Sequence, residues 1–254
     1  AIGRFAKLLE RPLVGSRIIQ RAASTIVSIP SEKHPWLAEV PAPASFKPEE
    51  RILCFLAANT AAGNIENVER DWKHLPITHH AQGAEIILQI HTLAGFPRSI
   101  NALIRVEQVG MCPIAAKEIE ENQDLGKWQK DGLDTMDAVY GSVSDKMLRN
   151  FKGMHPLLEL MLVEHAYGRI LSRPLVSLRV RELATLAVTA GMNLPVQMFT
   201  HLRGCLRTGA TREEVVSVVE ATGLVWGPAA LTKARHIRDQ KWSKWASADC
   251  EIEN

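Results

Sequence analysis

Between Glu164 and Arg203 the sequence gathers residue types that move protons and hold anions. A polar, aromatic-bearing segment carries His165, Tyr167, Arg169 and Arg173 and ends at Pro174. An apolar helix follows and breaks at Pro195, and a second helix brings His201 and Arg203. Cys205 lies one turn beyond His201, a spacing that shares a helix face. An isolated thiol in such a setting reads first as a buried core residue.

The elements that must position these residues are helical. From Glu49 onward the pattern is of helices with little strand-like alternation. Leu183, Leu186, Ala187 and Ala190 fall at i, i+3, i+4 and i+7 and predict one apolar helix face. Thr211 and Glu214 form a Thr-x-x-Glu capping box at the start of a long helix, with Gly209 closing the helix before it. Pro97 and Pro228 each sit where a new helix begins and a missing amide hydrogen costs nothing.

An internal repeat orders these helices. RILCFLAANTAAGNIENVERDWKHL, from Arg51, aligns without gaps on RELATLAVTAGMNLPVQMFTHLRGC, from Arg181, and sets Asp71 against His201. EIILQIHTLAGFPRSINALIRV, from Glu85, answers EVVSVVEATGLVWGPAALTKAR, from Glu214. Self-similarity of this kind predicts a duplicated helical unit. The expected organisation is a basic tail and Pro-rich linker over 1–48, a first, degenerate unit over 49–110, and linker helices with a better-preserved second unit and C-terminal tail over 111–254.

Composition narrows the function classes. With 46% hydrophobic and 23% charged residues the chain reads as soluble with a substantial core, and no window approaches a membrane span. A formal charge of +2 disfavours nucleic acid as a partner. Cys54, Cys112, Cys205 and Cys250 form no CxxC pair, which argues against a zinc ribbon or a thioredoxin-like centre and for reduced, intracellular thiols. His79, His80 and His91 have no acidic partners at ligand spacing, so no metal site is expected. Arg4, Lys7, Arg11, Arg17 and Arg21 face only Glu10 before Glu32, a pattern similar to mitochondrial transit segments, and predict a matrix location. That tail, with Trp242 and Trp245, is expected to dock onto other protein subunits.

The ordered motifs VYG, HPLLELMLVEHAYGRILSRP, RELATLAVTAG, HLRGCLRTGATREEVVSVVEA and GPAALTKAR resemble the carboxymuconolactone decarboxylase family, within the alkylhydroperoxidase D-like superfamily. The match runs from about Gly126 to Arg238 and extends more weakly over Glu49 to Gln108. The resemblance implies an all-α fold with two such helical units in tandem and an extended N-terminal tail, and it implies homo-oligomers built through helical faces. The peroxidase branch uses Glu-x-x-Cys-x-x-Cys-x-x-x-His. Anchored on His201, that pattern puts Gln197 and Leu194 at the cysteines and Gly191 at the acid, so peroxidase activity is not expected.

The decarboxylase branch implies His201 as proton donor, Glu164 as an orienting acid and Arg173 as a carboxylate clamp, without a cofactor or metal. Arg203, His165, Tyr167 and Trp226 are the further substrate-binding candidates. Departures weigh against activity: Arg169 stands where members often carry an acid, and Leu175, Val176 and Ser177 replace Gly-Leu-Asp. The expected function is therefore a structural or accessory subunit of a larger mitochondrial assembly. The alternative is an active, cofactor-free decarboxylase or lactone-converting enzyme acting on a small carboxylated substrate.

Overall fold

A central helix, buried on every side, organises the molecule. In the computed structural model, which describes residues 35–110 and 124–247, every residue from Val180 to Gly191 is buried. The predicted apolar stripe is thus part of a helix with no solvent face, as expected for an element packed all round. The basic tail over 1–32, Cys112 and Cys250 lie outside the described residues, as does the side chain of Trp245.

The chain enters through α1 (Pro48–Ala62) and α2 (Ile65–His74), then α3 (His80–Gln89), the short α4 (His91–Ala94) and α5 (Phe96–Gln108). Next come α6 (Leu125–Tyr140), α7 (Ser144–Met154), α8 (Pro156–Leu160) and an 11-residue π-helix (Met161–Leu171). The central helix is α9 (Leu178–Gly191), followed by α10 (Pro195–Arg207), α11 (Arg212–Trp226) and α12 (Pro228–Ser247). The fold is all-α, and among the described residues there is no strand.

Local chemistry explains the boundaries. Gly63 ends α1 at φ 78°, in the left-handed region that glycine adopts without penalty. Pro195 opens α10 at its first position. Thr211 Oγ1 accepts from the Glu214 amide at 3.2 Å while Glu214 Oε2 accepts from the Thr211 amide at 3.0 Å, so the predicted capping box is formed.

One core joins α1, α9, α10 and α11 through residues such as Ile52, Phe55, Leu183, Leu186, Met198 and Val218. Arg179 ties its rim: it donates to Glu50 at 2.6 Å and to Glu214 at 2.8 Å, linking the first turns of α1 and α11. A second cluster joins α6 to the π-helix through Met136, Val139, Tyr140, Val163 and Tyr167. Those two elements approach backbone to backbone. A Cβ on Gly168 would stand 1.9 Å from the Trp128 carbonyl oxygen, and one on Gly132 would stand 2.0 Å from that of Val163. Only glycine fits at either place.

A polar network inside the core holds α3 to α9. Arg181 and Glu85 are both buried, and Arg181 Nη2 donates to Glu85 Oε2 at 3.1 Å. Gln89 donates to the Arg181 carbonyl at 3.0 Å and to Thr185 Oγ1 at 2.9 Å, and accepts from Arg181 Nη1 at 3.0 Å. Arg173 completes it by donating to both oxygens of Glu85, each at 2.7 Å. Burial opposes ionisation of Glu85, but the two guanidiniums outweigh it and hold the carboxyl below its usual range.

Asp71, the residue that aligns with His201, is also buried. It accepts from Asn59 Nδ2 at 2.7 Å and pairs with Arg70 at 2.7 Å. Burial outweighs these partners and pushes its carboxyl up from 3.8 to about 6. A raised folded-state value favours the protonated form, so the contribution to stability is full below about pH 4 and is lost as pH rises through about 6. Asp71→Asn is therefore expected to flatten the pH dependence of stability across that window, by up to roughly 3 kcal/mol. Urea midpoints of both proteins between pH 4 and 7 measure it. Parallel curves would show that Asp71 does not titrate there.

Candidate active site

Adjacent residues on a helix point about 100° apart, and α9 uses this to send two buried charges in different directions. Arg181 turns toward Glu85 and Gln89, while Glu182, wholly buried, turns toward α10. There Glu182 Oε2 meets His201 Nδ1 at 2.8 Å. Room for that carboxylate exists because residue 204 is glycine: a Cβ on Gly204 would stand 2.3 Å from Glu182 Oε2.

The pairing decides the tautomer. An ionised carboxylate only accepts, so His201 carries its proton on Nδ1 and presents a lone pair at Nε2. Nothing among the described residues hydrogen-bonds Nε2. Glu182 Oε1 is likewise buried without a partner. A histidine held from behind by a buried acid, with its other nitrogen open, is the arrangement of a general base.

Two phenols complete the surroundings. The ring of Tyr140, the last residue of α6, lies 6.4 Å from that of His201. Its hydroxyl is hydrogen-bonded to that of Tyr167, which comes from the π-helix. Burial, and then the charge of Glu182, push the Tyr140 phenol up. Burial, then Tyr140 and Glu182, do the same to Tyr167. Both phenols therefore stay protonated at neutral pH. Burial, then Glu182, also raise the Cys205 thiol well above its ordinary value, so Cys205 offers no thiolate for redox or nucleophilic chemistry.

Residues 156–238 match the model of the carboxymuconolactone decarboxylase family. Over this part the chain is similar to that family. The chain is 26% identical over 112 residues to 4-carboxymuconolactone decarboxylase of Acinetobacter baylyi, covering 44% of this chain and 84% of that protein. It is 30% identical over 137 residues to Peroxisomal protein 2 of Schizosaccharomyces pombe, covering 52% of this chain and 63% of that protein. Peroxisomal protein 2 of Saccharomyces cerevisiae is 23% identical over 164 residues, covering 54% of this chain and 58% of that protein. The chain thus spans less than two thirds of the length of either Peroxisomal protein 2.

The matched region supplies Glu182, His201 and Tyr167, while Tyr140 comes from α6, ahead of it in the chain. Of the residues singled out in the sequence, His201 and Tyr167 converge on this centre. The others are placed elsewhere. Glu164, expected as the orienting acid, accepts from Gln129 at 2.6 Å; the acid on His201 is Glu182. Arg173, expected as a carboxylate clamp, has its guanidinium fork on Glu85. Arg203 follows His201 by two residues, about 200° round α10, and so faces away from Glu182.

His165 pairs with His91, Nε2 to Nε2 at 2.7 Å. Trp226 packs on Gly191, nine residues along α9 from Glu182 and so about 13 Å away along the axis. Arg169 lies over the Trp128 ring at 4.3 Å. Trp242, expected to anchor a partner, packs against the chain's own core, flanked by Arg212 and Arg238.

An open cleft of about 230 Å³ is lined by Lys47, Glu49, His79, Gln82 and Ser177 among others, and by none of the dyad residues. Its closest acid–base pair, His79 and Glu49, is 4.0 Å apart and partly exposed. The buried 2.8 Å pair is the stronger chemical site.

Proposed function

We propose that the Glu182–His201 dyad is a cofactor-free acid–base centre that moves a proton on a small carbonyl substrate. The observation that carries this reading is the buried Nδ1 contact to Glu182 at 2.8 Å with Nε2 left open. His201 Nε2 takes a proton from carbon, and Glu182 stabilises the imidazolium that forms. The imidazolium then protonates the carbanion or enolate left after bond cleavage. Loss of carbon dioxide from a lactone acid uses the second half of this sequence alone. The C–CO2 electron pair moves into the conjugated carbonyl, and His201, protonated beforehand from solvent, gives its proton to the resulting enolate. A relative bears the name 4-carboxymuconolactone decarboxylase. With Arg173 held by Glu85, the substrate is held mainly through its carbonyl rather than through an arginine–carboxylate fork.

The test is carbon dioxide release from 4-carboxymuconolactone in D2O, with deuterium uptake into product, for the wild type and His201→Gln. Turnover with deuterium incorporation that is lost in His201→Gln supports the reading. Equal rates in both proteins would remove it.

A second reading, an accessory subunit of a mitochondrial assembly, is favoured by a run of exposed apolar side chains. Met154, Leu157, Leu160 and Met161 are between 44% and 72% exposed, a surface suited to another protein. The Arg-rich N-terminal stretch supports a matrix address, whereas two relatives carry the name Peroxisomal protein 2. Native mass spectrometry of the chain purified from its source, with imaging of a tagged copy, decides. Recovery only as a free homo-oligomer outside mitochondria would sink the subunit reading. We also read the first unit, 49–110, and the second unit, which follows the linker helices within 111–254, as two descendants of one helical unit, on the strength of the aligned segments from Arg51 and Arg181.

A further inference from the structure

We propose that Tyr140 supplies the hydrogen-bond donor for an oxyanion formed beside His201, that Tyr167 positions it, and that the substrate is an enolisable carbonyl compound. This rests on the acid–base reading of the dyad and adds the group that receives the charge.

The hydrogen-bond inventory carries the inference. Two phenols bring two hydroxyl protons, and one of them is used in the bond between Tyr140 and Tyr167. Neither hydroxyl has another partner among the described residues, so one O–H remains to be donated. Tyr140 is the member whose ring lies against His201, at 6.4 Å. Tyr167 therefore donates to Tyr140, and Tyr140 directs its own proton toward the space beside the imidazole. Accepting a hydrogen bond makes a hydroxyl the stronger donor.

Burial keeps both phenols neutral and in the donating form. The frame is rigid. Tyr140 is followed by Gly141 at φ 59°, against which the Arg207 guanidinium packs, and Tyr167 rides on the π-helix pinned at Gly132 and Gly168. A donor fixed in advance where negative charge develops is the requirement for stabilising an oxyanion.

The step balances without an added reagent. His201 Nε2 removes a proton from the carbon next to the carbonyl, and the C–H electron pair becomes the new C=C bond. The carbonyl π pair moves onto oxygen, where Tyr140 O–H meets it. The positive charge sits on His201 beside Glu182, and return of the proton to carbon closes the cycle.

Acetylacetone is the probe, because it is small and its enolate has its own near-ultraviolet band. The wild type is expected to raise the enolate fraction on binding. Tyr140→Phe should weaken enolate binding by roughly 10–100-fold, the scale of one charge-assisted hydrogen bond, and Tyr167→Phe should weaken it less. If Tyr140→Phe does not fold, 3-fluorotyrosine at 140 keeps the shape with a more acidic hydroxyl and should tighten enolate binding. Equal enolate binding by wild type and Tyr140→Phe, or no response to 3-fluorotyrosine, would overturn the assignment. If His201→Gln still loses deuterium exchange, the dyad reading survives that result. Absence of exchange in the wild type would remove the dyad and this inference with it.

Discussion

Replacing Glu85 with alanine is expected to destabilise the protein by about 3–5 kcal/mol, the scale for removing one partner of a buried ion pair. Glu85 receives Arg173 through two contacts at 2.7 Å and Arg181 through one at 3.1 Å, and Arg181 is fully buried. Without the carboxylate, Arg181 retains Gln89 and the Arg173 carbonyl as acceptors but has no counter-charge. The loss is in the uncompensated guanidinium rather than in the missing contact. A double-mutant cycle with Glu85→Ala and Arg181→Met, read by urea denaturation, measures it. The double variant should recover much of the stability lost in Glu85→Ala alone. Because Glu85 is held below its usual range, its contribution is present at neutral pH and is lost as pH falls through the folded-state value. Additive single-variant losses would show that the two residues act independently.

Glu182→Gln is expected to lower turnover by about 10²–10⁴-fold, the usual contribution of a positioned acid–base group. The amide can offer its NH2 to Nδ1, which moves the imidazole proton to Nε2 and removes the lone pair from the site. Shape and volume change little, so the fold should survive, and an unchanged thermal midpoint confirms it. Glu182→Gln combined with His201→Gln should be no worse than His201→Gln alone, since groups acting as a unit are not additive. Full activity in Glu182→Gln would place the chemistry elsewhere.

Features set by neighbours in sequence were the ones legible from it. The capping box of Thr211 and Glu214, the proline at the start of α10 and the buried run along α9 need only local chemistry. His201 was legible because it stands in a motif. Its partner was not, because Glu182 lies 19 positions earlier and reaches it only through the crossing of α9 and α10. A signal did exist: Arg181 and Glu182 follow Arg179 into the apolar stretch of the helix, and charges are rarely buried without partners.

The clamp role for Arg173 comes from the resemblance of Ser172-Arg173-Pro174 to the family motif, which carries no information on its partner. Glu85, 88 positions away, takes its fork instead. Tyr140 closes α6, before the matched domain, and no local pattern tied its hydroxyl to Tyr167. The π-helix that carries Tyr167 has no sequence signature in its apolar periodicity. Such helices are rare and tend to occur at functional sites.

The central claim is that Glu182 fixes His201 with its proton on Nδ1 and its lone pair on Nε2. Nitrogen-15 NMR of histidine-labelled protein, with His201→Gln to assign the signal, reads this directly. In the neutral imidazole, Nδ1 should appear as the protonated nitrogen, with a downfield proton shared with the carboxylate, and Nε2 as the bare one. Glu182→Gln should reverse or blur that assignment. A His201 spectrum showing Nε2 protonated in the wild type, or one unchanged by Glu182→Gln, would contradict the dyad.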